Sequence, residues 1–369
     1  MLGDPIAGLR SPTGSLLSVY LDHPSRGGVS ALTSDMLRPI KERASSMSRS
    51  VQKSVRRDSD RIHQLAEQLE LDPAPSFAVF ASDLDGIFVV ESLTHQVDST
   101  STLGPRPYLR PLRAAPRPLR AGVLVADRTE ARVFIASGEL VEELGEPLTA
   151  DIGRPNYGGF SGYREHTARA HAGETTSRMW KEAGLRLLGV HQDRPLDYLV
   201  IGALDEFVEE IGRGLHSYLG GLYRTSFAVR SRGLSLAVLR AELVDLGAEV
   251  RRNRQAALAG RVCDTAWSGG HAVLGLAKSI ESANVQAIDT LVVSGSFARP
   301  GVVCNGCGHL SRSGEVCPVC NQTMFQVHDV VAAVMDSVVA AGGKVHHIGV
   351  SSPLDAEGIG AITRFQIQN

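Results

Sequence analysis

The segment RAGVLVADRTEARVFIASGELVEEL, Arg120–Leu144, decides how this chain is read. Two apolar runs, Gly122–Ala126 and Arg132–Ala136, flank the polar stretch Asp127–Glu130 and predict two strands across a turn. A helix is predicted from about Tyr163 to Leu188, with Ala168, Ala172, Met179, Ala183 and Leu187 on or near one face. DYLVIGA, Asp197–Ala203, reads as a buried strand, and EFVEEIGRGL, Glu206–Leu215, as the helix after it. Further on come a helix from Leu236 to about Ala259 and a glycine-led helix over GGHAVLGLAKSIESANV, Gly269–Val285. A strand, Ile288–Gly295, a helix, Asp329–Ala341, and a strand, Val345–Val350, complete this part. Strands alternating with helices imply α/β or α+β layers.

Upstream, SLLSVYLD (Ser15–Asp22) predicts a strand, and Met36–Leu71 one long helix or a helical hairpin. That stretch carries Lys41, Arg43, Arg49, Lys53, Arg56, Arg57 and Arg61 against Glu42, Asp58 and Asp60. Phe77–Ser82 and Gly86–Leu93 predict a hairpin around Asp83, Leu84 and Asp85, whose carboxylates read as turn residues. GPRPYLRPLRAAPRPLR, Gly104–Arg120, holds Arg106, Arg110, Arg113, Arg117 and Arg120, no acid, and five prolines. It is either a solvated linker or a surface that contacts phosphate backbone. A second acid-free run, Ile211–Arg240, also contains five arginines.

The chain has 369 residues, enough for two or three domains. Its 43% apolar and 21% charged residues are ordinary for a globular protein and argue against wholesale disorder. With 38 basic and 40 acidic side chains the formal charge is −2, so only a local face can be basic. The richest apolar run, Leu199–Leu204, is far shorter than the ~18–20 residues of a membrane helix. The N-terminal MLGDPIAGLRSPTG lacks a basic region followed by an apolar one, so the expected location is the cytoplasm, with no membrane partner.

Four of the five cysteines form CNGC-x9-CPVC: Cys304, Cys307, Cys317 and Cys320. Two CxxC turns present four thiolates to one tetrahedral ion, and the spacing predicts a structural Zn²⁺ site with Cys263 left free. Four sulfurs close the coordination sphere, so the metal has no open position for catalysis. His166 and His171 are five apart, off the i, i+4 spacing, and read as solvated. The chain has no GxxxxGK[ST], no GxGxxG between a strand and a helix, and no evident Ser–His–Asp set.

Gly158-Gly159-Phe160-Ser161-Gly162-Tyr163-Arg164 resembles the Gly-Gly-Gln-Ser-x-x-Arg segment of archaeal and eukaryotic class-one peptide-chain release factors. VLVADRTEARVFIAS (Val123–Ser137) looks like the first strands of that family's middle domain. The Gly269–Gly295 run and the terminal GIGAITRF look like its C-terminal domain, and archaeal members carry a zinc knuckle at a comparable junction. The resemblance covers about residues 119–369, in order. It implies three domains, 1–116, 117–233 and 234–369, with a zinc knuckle at about 300–325 in the last.

The departures bear on function. The family's glutamine, thought to help place water at the peptidyl-tRNA ester, is Phe160 here. The first block shows no counterpart of the codon-reading Asn-Ile-Lys-Ser segment. Pelota-like rescue factors and bacterial relatives of the Balon type share these absences, and the YLD strand with its basic helix looks more like the bacterial branch. The resemblance therefore implies a ribosome hibernation factor without catalytic residues. It would be a monomer in the A site against rRNA, with delivery by the elongation factor EF-Tu open. Gly158, Gly159, Phe160, Ser161 and Arg164 would form its ribosome-contact loop, and Arg106, Arg110, Arg113, Arg117 and Arg120 are its candidate rRNA contacts. The alternative is a release factor or peptidyl-tRNA hydrolase in rescue, with water held by backbone N–H groups of the Gly158-Gly159 turn.

Overall fold

The computed structural model describes residues 4–22, 29–69, 72–114, 117–138, 140–151, 162–231 and 234–366. The chain forms two compact units. One combines Met1–Ala115 with Gln255–Asn369; the other is Pro116–Arg254.

The N-terminal part of the first unit starts with a short helix, α1 (Asp4–Ala7), and a strand, β1 (Leu16–Asp22). A helical hairpin follows, α2 (Val29–Ala44) and α3 (Arg49–Gln68). Next come β2 (Ser76–Ser82), β3 (Ile87–Leu93), β4 (Thr100–Gly104) and a short helix, α4 (Arg110–Ala114). The strands form an antiparallel sheet in the order β3-β2-β1-β4. β1 and β2 are buried on both faces, which is why their sequences read as nearly unbroken apolar runs. Helices α2 and α3 cover one face with Leu37, Val51, Val55 and Ile62. Ile6 and Leu109 pack on the other with Tyr20 and Phe80. Ser48 caps α3. Asp58 on α3 is buried, and burial raises its carboxyl pKa; its Oδ2 accepts from Ser54 Oγ and Asp83 N. Asp85 accepts from Ser82 and Ser15, and Asp83 pairs with Arg57, so these two carboxylates serve the turn.

The second unit holds β5 (Arg120–Ala126), β6 (Glu130–Ser137), β7 (Leu140–Glu143) and β8 (Leu148–Thr149). Then follow α5 (Gly162–Asp193), β9 (Tyr198–Gly202), α6 (Asp205–Gly214), α7 (Ser217–Gly220) and β10 (Tyr223–Phe227). The sheet order is β10-β9-β5-β6-β7, with β8 on β6. β10, β9 and β5 run parallel, and the β5–β6–β7 pairs are antiparallel. Trp180, Ala183 and Leu187 of α5 and Phe207 and Ile211 of α6 fill one face. Leu239, Leu243 and Val250 of the next helix, α8 (Leu236–Trp267), fill the other. The expected boundary at 233/234 falls before α8, yet the residues of α8 up to Arg254 belong to this unit.

Trp180 Nε1 donates to Asp127 O at 3.0 Å and Thr176 Oγ1 to Arg128 O at 2.9 Å, which fastens α5 to the β5–β6 turn. Gly122 lies under this helix: a Cβ there would stand 2.7 Å from Leu196 Cδ1 and 3.0 Å from Leu187 Cδ2. Gly122→Ala is expected to lower unfolding free energy by about 1–3 kcal/mol through overpacking. Urea titration checks it, and an unchanged midpoint would count against the packing described.

The remainder of the first unit contains β11 (Ala272–Leu274), α9 (Leu276–Asn284), β12 (Ile288–Ser294), β13 (Gly301–Cys304), β14 (Leu310–Ser311) and β15 (Met324–Val327). It ends with α10 (Val330–Ala340), β16 (Lys344–Ile348) and β17 (Ile359–Thr363). The main sheet runs β11-β17-β12-β16, and β14-β13-β15 is a separate small sheet. One expectation changes here. Gly269–Val285 is not one helix: Ala272–Leu274 pairs antiparallel with β17, and Gly275, at φ +83°, breaks the chain before α9.

Candidate functional site: a four-cysteine knuckle and exposed basic faces

The small sheet positions the cysteines. Cys304 ends β13, and Cys307 follows on the turn into β14. Cys317 and Cys320 lie before β15, where Val316 bridges Thr323. The two turns repeat one design. Gly308 N donates to Cys304 O at 3.0 Å, and Asn321 N to Cys317 O at 2.9 Å. Gly308 and Asn321, each four residues past its cysteine, take φ +83° and +57°. Such residues suit Gly and Asn, which tolerate the left-handed region.

The four Sγ atoms lie within 4.8 Å of one another, with Cys304 and Cys320 at 3.3 Å and Cys307 and Cys317 at 3.5 Å. A tetrahedral ion with bonds of ~2.3 Å spaces its sulfurs by about 3.8 Å, so the donor set fits a metal ion. Cys304 and Cys317 are fully buried. Burial alone would raise the Cys304 thiol, but the backbone N–H groups of Cys307 and Gly306 and the neighbouring thiols lower it to about 6. Cys317 is likewise lowered, against burial, by the amides of Cys320 and Val319. These amides favour the thiolate at Cys304 and Cys317, whereas at Cys307 the His309 amide is outweighed by desolvation and the neighbouring thiols, which push the thiol up to about 12. Cys263 is separate, buried in α8 among Ala259, Val262 and Ile348.

Three of the five arginines expected to face phosphate are instead bound inside the first unit. Arg110 is buried: its Nη1 lies 2.8 Å from Asp329 Oδ2, and its Nη2 donates to Gly295 O. Arg113 pairs with Asp336 at 2.5 Å, and Arg106 Nη2 donates to Cys304 O at 3.3 Å. Their charges meet carboxylates and carbonyls brought from far along the chain, a pairing that local charge pattern does not encode. Arg117 is exposed, and Arg120 is half-buried with Nη1 on Arg194 O.

A groove of about 890 Å³ beside the knuckle is lined by Arg10, Arg106, Arg113 and Asp336. Burial pushes the Asp336 carboxyl up to about 6, against the pull of Arg113, Arg106 and Arg10. A metal-loaded four-thiolate centre carries about −2, so together with an ionised Asp336 it offsets the three arginines. With the knuckle loaded, the groove would carry no net charge.

Cations do reach solvent elsewhere. Arg49, Lys53, Arg56, Arg57 and Arg61 of α3 are all exposed, and the Arg61 guanidinium lies 3.8 Å over the Phe88 ring. In the second unit Arg213, Arg224, Arg230 and Arg240 are exposed. Gly158, Gly159, Phe160 and Ser161 lie outside the described residues, as does Arg232; Arg164 is described only as a residue near the start of α5. His171 is exposed on α5. No helix among the described residues is long and apolar enough to cross a membrane.

No protein-family model matches the chain, and no curated protein matches it. Among solved structures it is similar to the archaeal translation termination factor aRF1, at 16% identity over 98% of this chain and 95% of that one, with TM-score 0.25. It is similar to archaeal Pelota in a model of ribosome-bound Pelota and ABCE1, at 18% identity over 79% and 78%, TM-score 0.44. It is also similar to Saccharomyces cerevisiae Dom34, a translation termination-like factor, at 11% identity over 79% and 81%, TM-score 0.41. At TM-scores this low, neither fold nor function carries over.

Proposed function

We propose that this protein is a ribosome-binding hibernation factor that occupies the A site of idle ribosomes without hydrolysing peptidyl-tRNA. One observation carries the reading. Residues 119–369 follow the order of the release-factor scaffold, while Phe160 stands at the position of that family's glutamine. A phenyl ring has no amide to orient a water molecule. By this resemblance the chain would keep a scaffold that is tRNA-shaped in the family and lack its hydrolytic side chain.

The exposed cations of α3 support a partner rich in phosphate, because five of them stand on one helix with Asp60 the sole exposed acid between Arg49 and Arg61. With Arg106, Arg110 and Arg113 internal, the rRNA contacts of the central stretch fall to Arg117 and Arg120. Cys304, Cys307, Cys317 and Cys320 hold a Zn²⁺ that cross-links two turns and has no open position. The factor acts as a monomer in the cytoplasm; by family analogy EF-Tu is a candidate for its delivery, which this reading does not require.

Co-sedimentation with ribosomes from resting and growing cells tests this reading. Binding to mRNA-free 70S particles, with no turnover of peptidyl-tRNA by the purified protein, is expected. Binding confined to stalled, mRNA-bound complexes, or robust ester hydrolysis, would replace hibernation by rescue.

A further inference from the structure

The C-terminal end of α6 carries a surface that the fold does not require. Arg213 sits in the last turn of α6, between Gly212 and Gly214. A Cβ on Gly212 would stand 2.6 Å from Arg224 Nη1, and one on Gly214 would stand 3.8 Å from Lys181 Cγ. Arg224 of β10 and Lys181 of α5 thus approach the two glycines that flank Arg213 of α6, and all three cations are exposed. Arg224 Nη1 donates to Gly212 O at 3.0 Å, which fixes its guanidinium on the helix's C-terminal carbonyls.

Helix α7 follows directly. Leu219 buries itself in the α5 core, which anchors α7 and leaves the neighbouring Tyr218 outside with 69% of its surface exposed. The exposed His216 ring lies 5.0 Å from the Tyr218 ring at 60°, and its Nδ1 accepts from Tyr218 N at 3.3 Å. The result is a fixed aromatic pair three and five residues along the chain from Arg213. β10 is an edge strand, and no acid occurs from Ile211 to Arg240. Glu209 and Glu210 lie a turn before Arg213, and Glu182, next to Lys181 in the chain, lies 3.7 Å from Arg186.

We propose that this surface is a binding site for unpaired RNA, with bases stacking on Tyr218 and His216 and phosphates held by Lys181, Arg213 and Arg224. Aromatic faces beside guanidinium groups are the chemistry by which proteins hold splayed single-stranded bases. The partner is RNA because the proposal rests on the ribosome reading above, and a looped or flipped rRNA strand is the form it takes there.

The test is fluorescence anisotropy of the full chain with a 12-nucleotide single-stranded RNA and with a duplex of the same sequence, alongside ribosome co-sedimentation. Tyr218→Ala is expected to weaken single-strand binding about 5- to 150-fold, the range for one base–aromatic stack, while Tyr218→Phe retains it. Lys181→Gln with Arg213→Gln should lower the slope of log affinity on log salt by about 1.4, at ~0.7 per phosphate contact. Arg252→Gln, exposed on α8, which covers the opposite face of the sheet, should change neither. Unchanged affinity in Tyr218→Ala, or equal affinity for single strand and duplex, overturns the stacking site. Tight single-strand binding that these variants abolish, in a chain that does not co-sediment with ribosomes, leaves the RNA site standing and removes the ribosome reading.

Discussion

Asp329→Ala is expected to destabilise the first unit by about 3–5 kcal/mol, the range for removing one partner of a buried ion pair. Asp329 has no exposed side-chain surface, and its partner Arg110 is 8% exposed. Four groups depend on the carboxylate. Arg110 Nη1 and Tyr108 Oη donate to Oδ2 at 2.8 and 3.2 Å, and the amides of Val331 and Ala332 donate to Oδ1 as the N-cap of α10. Alanine leaves a guanidinium buried and unpaired and strips a helix cap at the same time. Asp329→Asn keeps an oxygen for the cap and should fall between alanine and wild type. In the Arg110→Ala background the same substitution should cost clearly less, because the stranded charge is gone. Urea unfolding of the four variants measures this, and a loss under about 1 kcal/mol would show that water screens the pair.

Metal removal should act on the same unit with comparable force. The sheet β14-β13-β15 has strands of two to four residues; Val302, Cys304, Cys317 and Met324 form one buried cluster, and Val303 and Leu310 pack into the core beneath α10. The two cysteine turns, 305–309 and 312–323, bury only Cys317, so a metal cross-link is what would hold them. Elemental analysis should return about one zinc per chain, and Cys317→Ser or a strong chelator should remove it. The loss should lower the Tm by about 10 °C or more, as several kcal/mol does in a unit of this size. The N-terminal part should respond as well, since Arg106 donates to Cys304 O, Asn305 to Ser11 O and Arg43 to Gln326 O. Hydrogen exchange should rise at residues 11–15 and 104–108 and stay unchanged in the β5–β9 core. A metal-free chain with wild-type exchange would remove the cross-link from this account.

What the sequence made legible follows from physics it contains locally. Leu16–Leu21, Phe77–Ala81, Val123–Ala126 and Leu199–Ile201 read as strands because both of their faces are covered and nearly every residue is buried. The cysteines read as a metal centre because two CxxC turns a short distance apart have few other uses. β10 was hidden because YRTSF is a polar edge strand without an apolar run. β11 was hidden because three residues carry no period and α9 begins just beyond Gly275. The arginine-rich stretch read as surface because nothing near Arg110 or Arg113 announces a partner. Asp329 is 219 positions from Arg110, and only the finished fold brings them together. The patch at the end of α6 was half legible: the acid-free run pointed to its arginines, but Lys181 and the turned-out Tyr218 required the packing of α5 against α7.

That separation also sets an order of assembly during synthesis. Residues 116–254 interrupt the first unit, so its two halves are made apart. At ~5–20 residues per second, the 219 positions between Arg110 and Asp329 take about 10–40 s to translate. The intervening β5–β9 region has its strands and covering helices close at hand and can condense within that interval. The N-terminal sheet meanwhile waits with Arg110, Tyr108 and Arg43 wet and unmatched, a nascent half without its counterpart. A truncated chain that stops before Asp329 should therefore leave that half to chaperones and proteases, while the middle region is already folded.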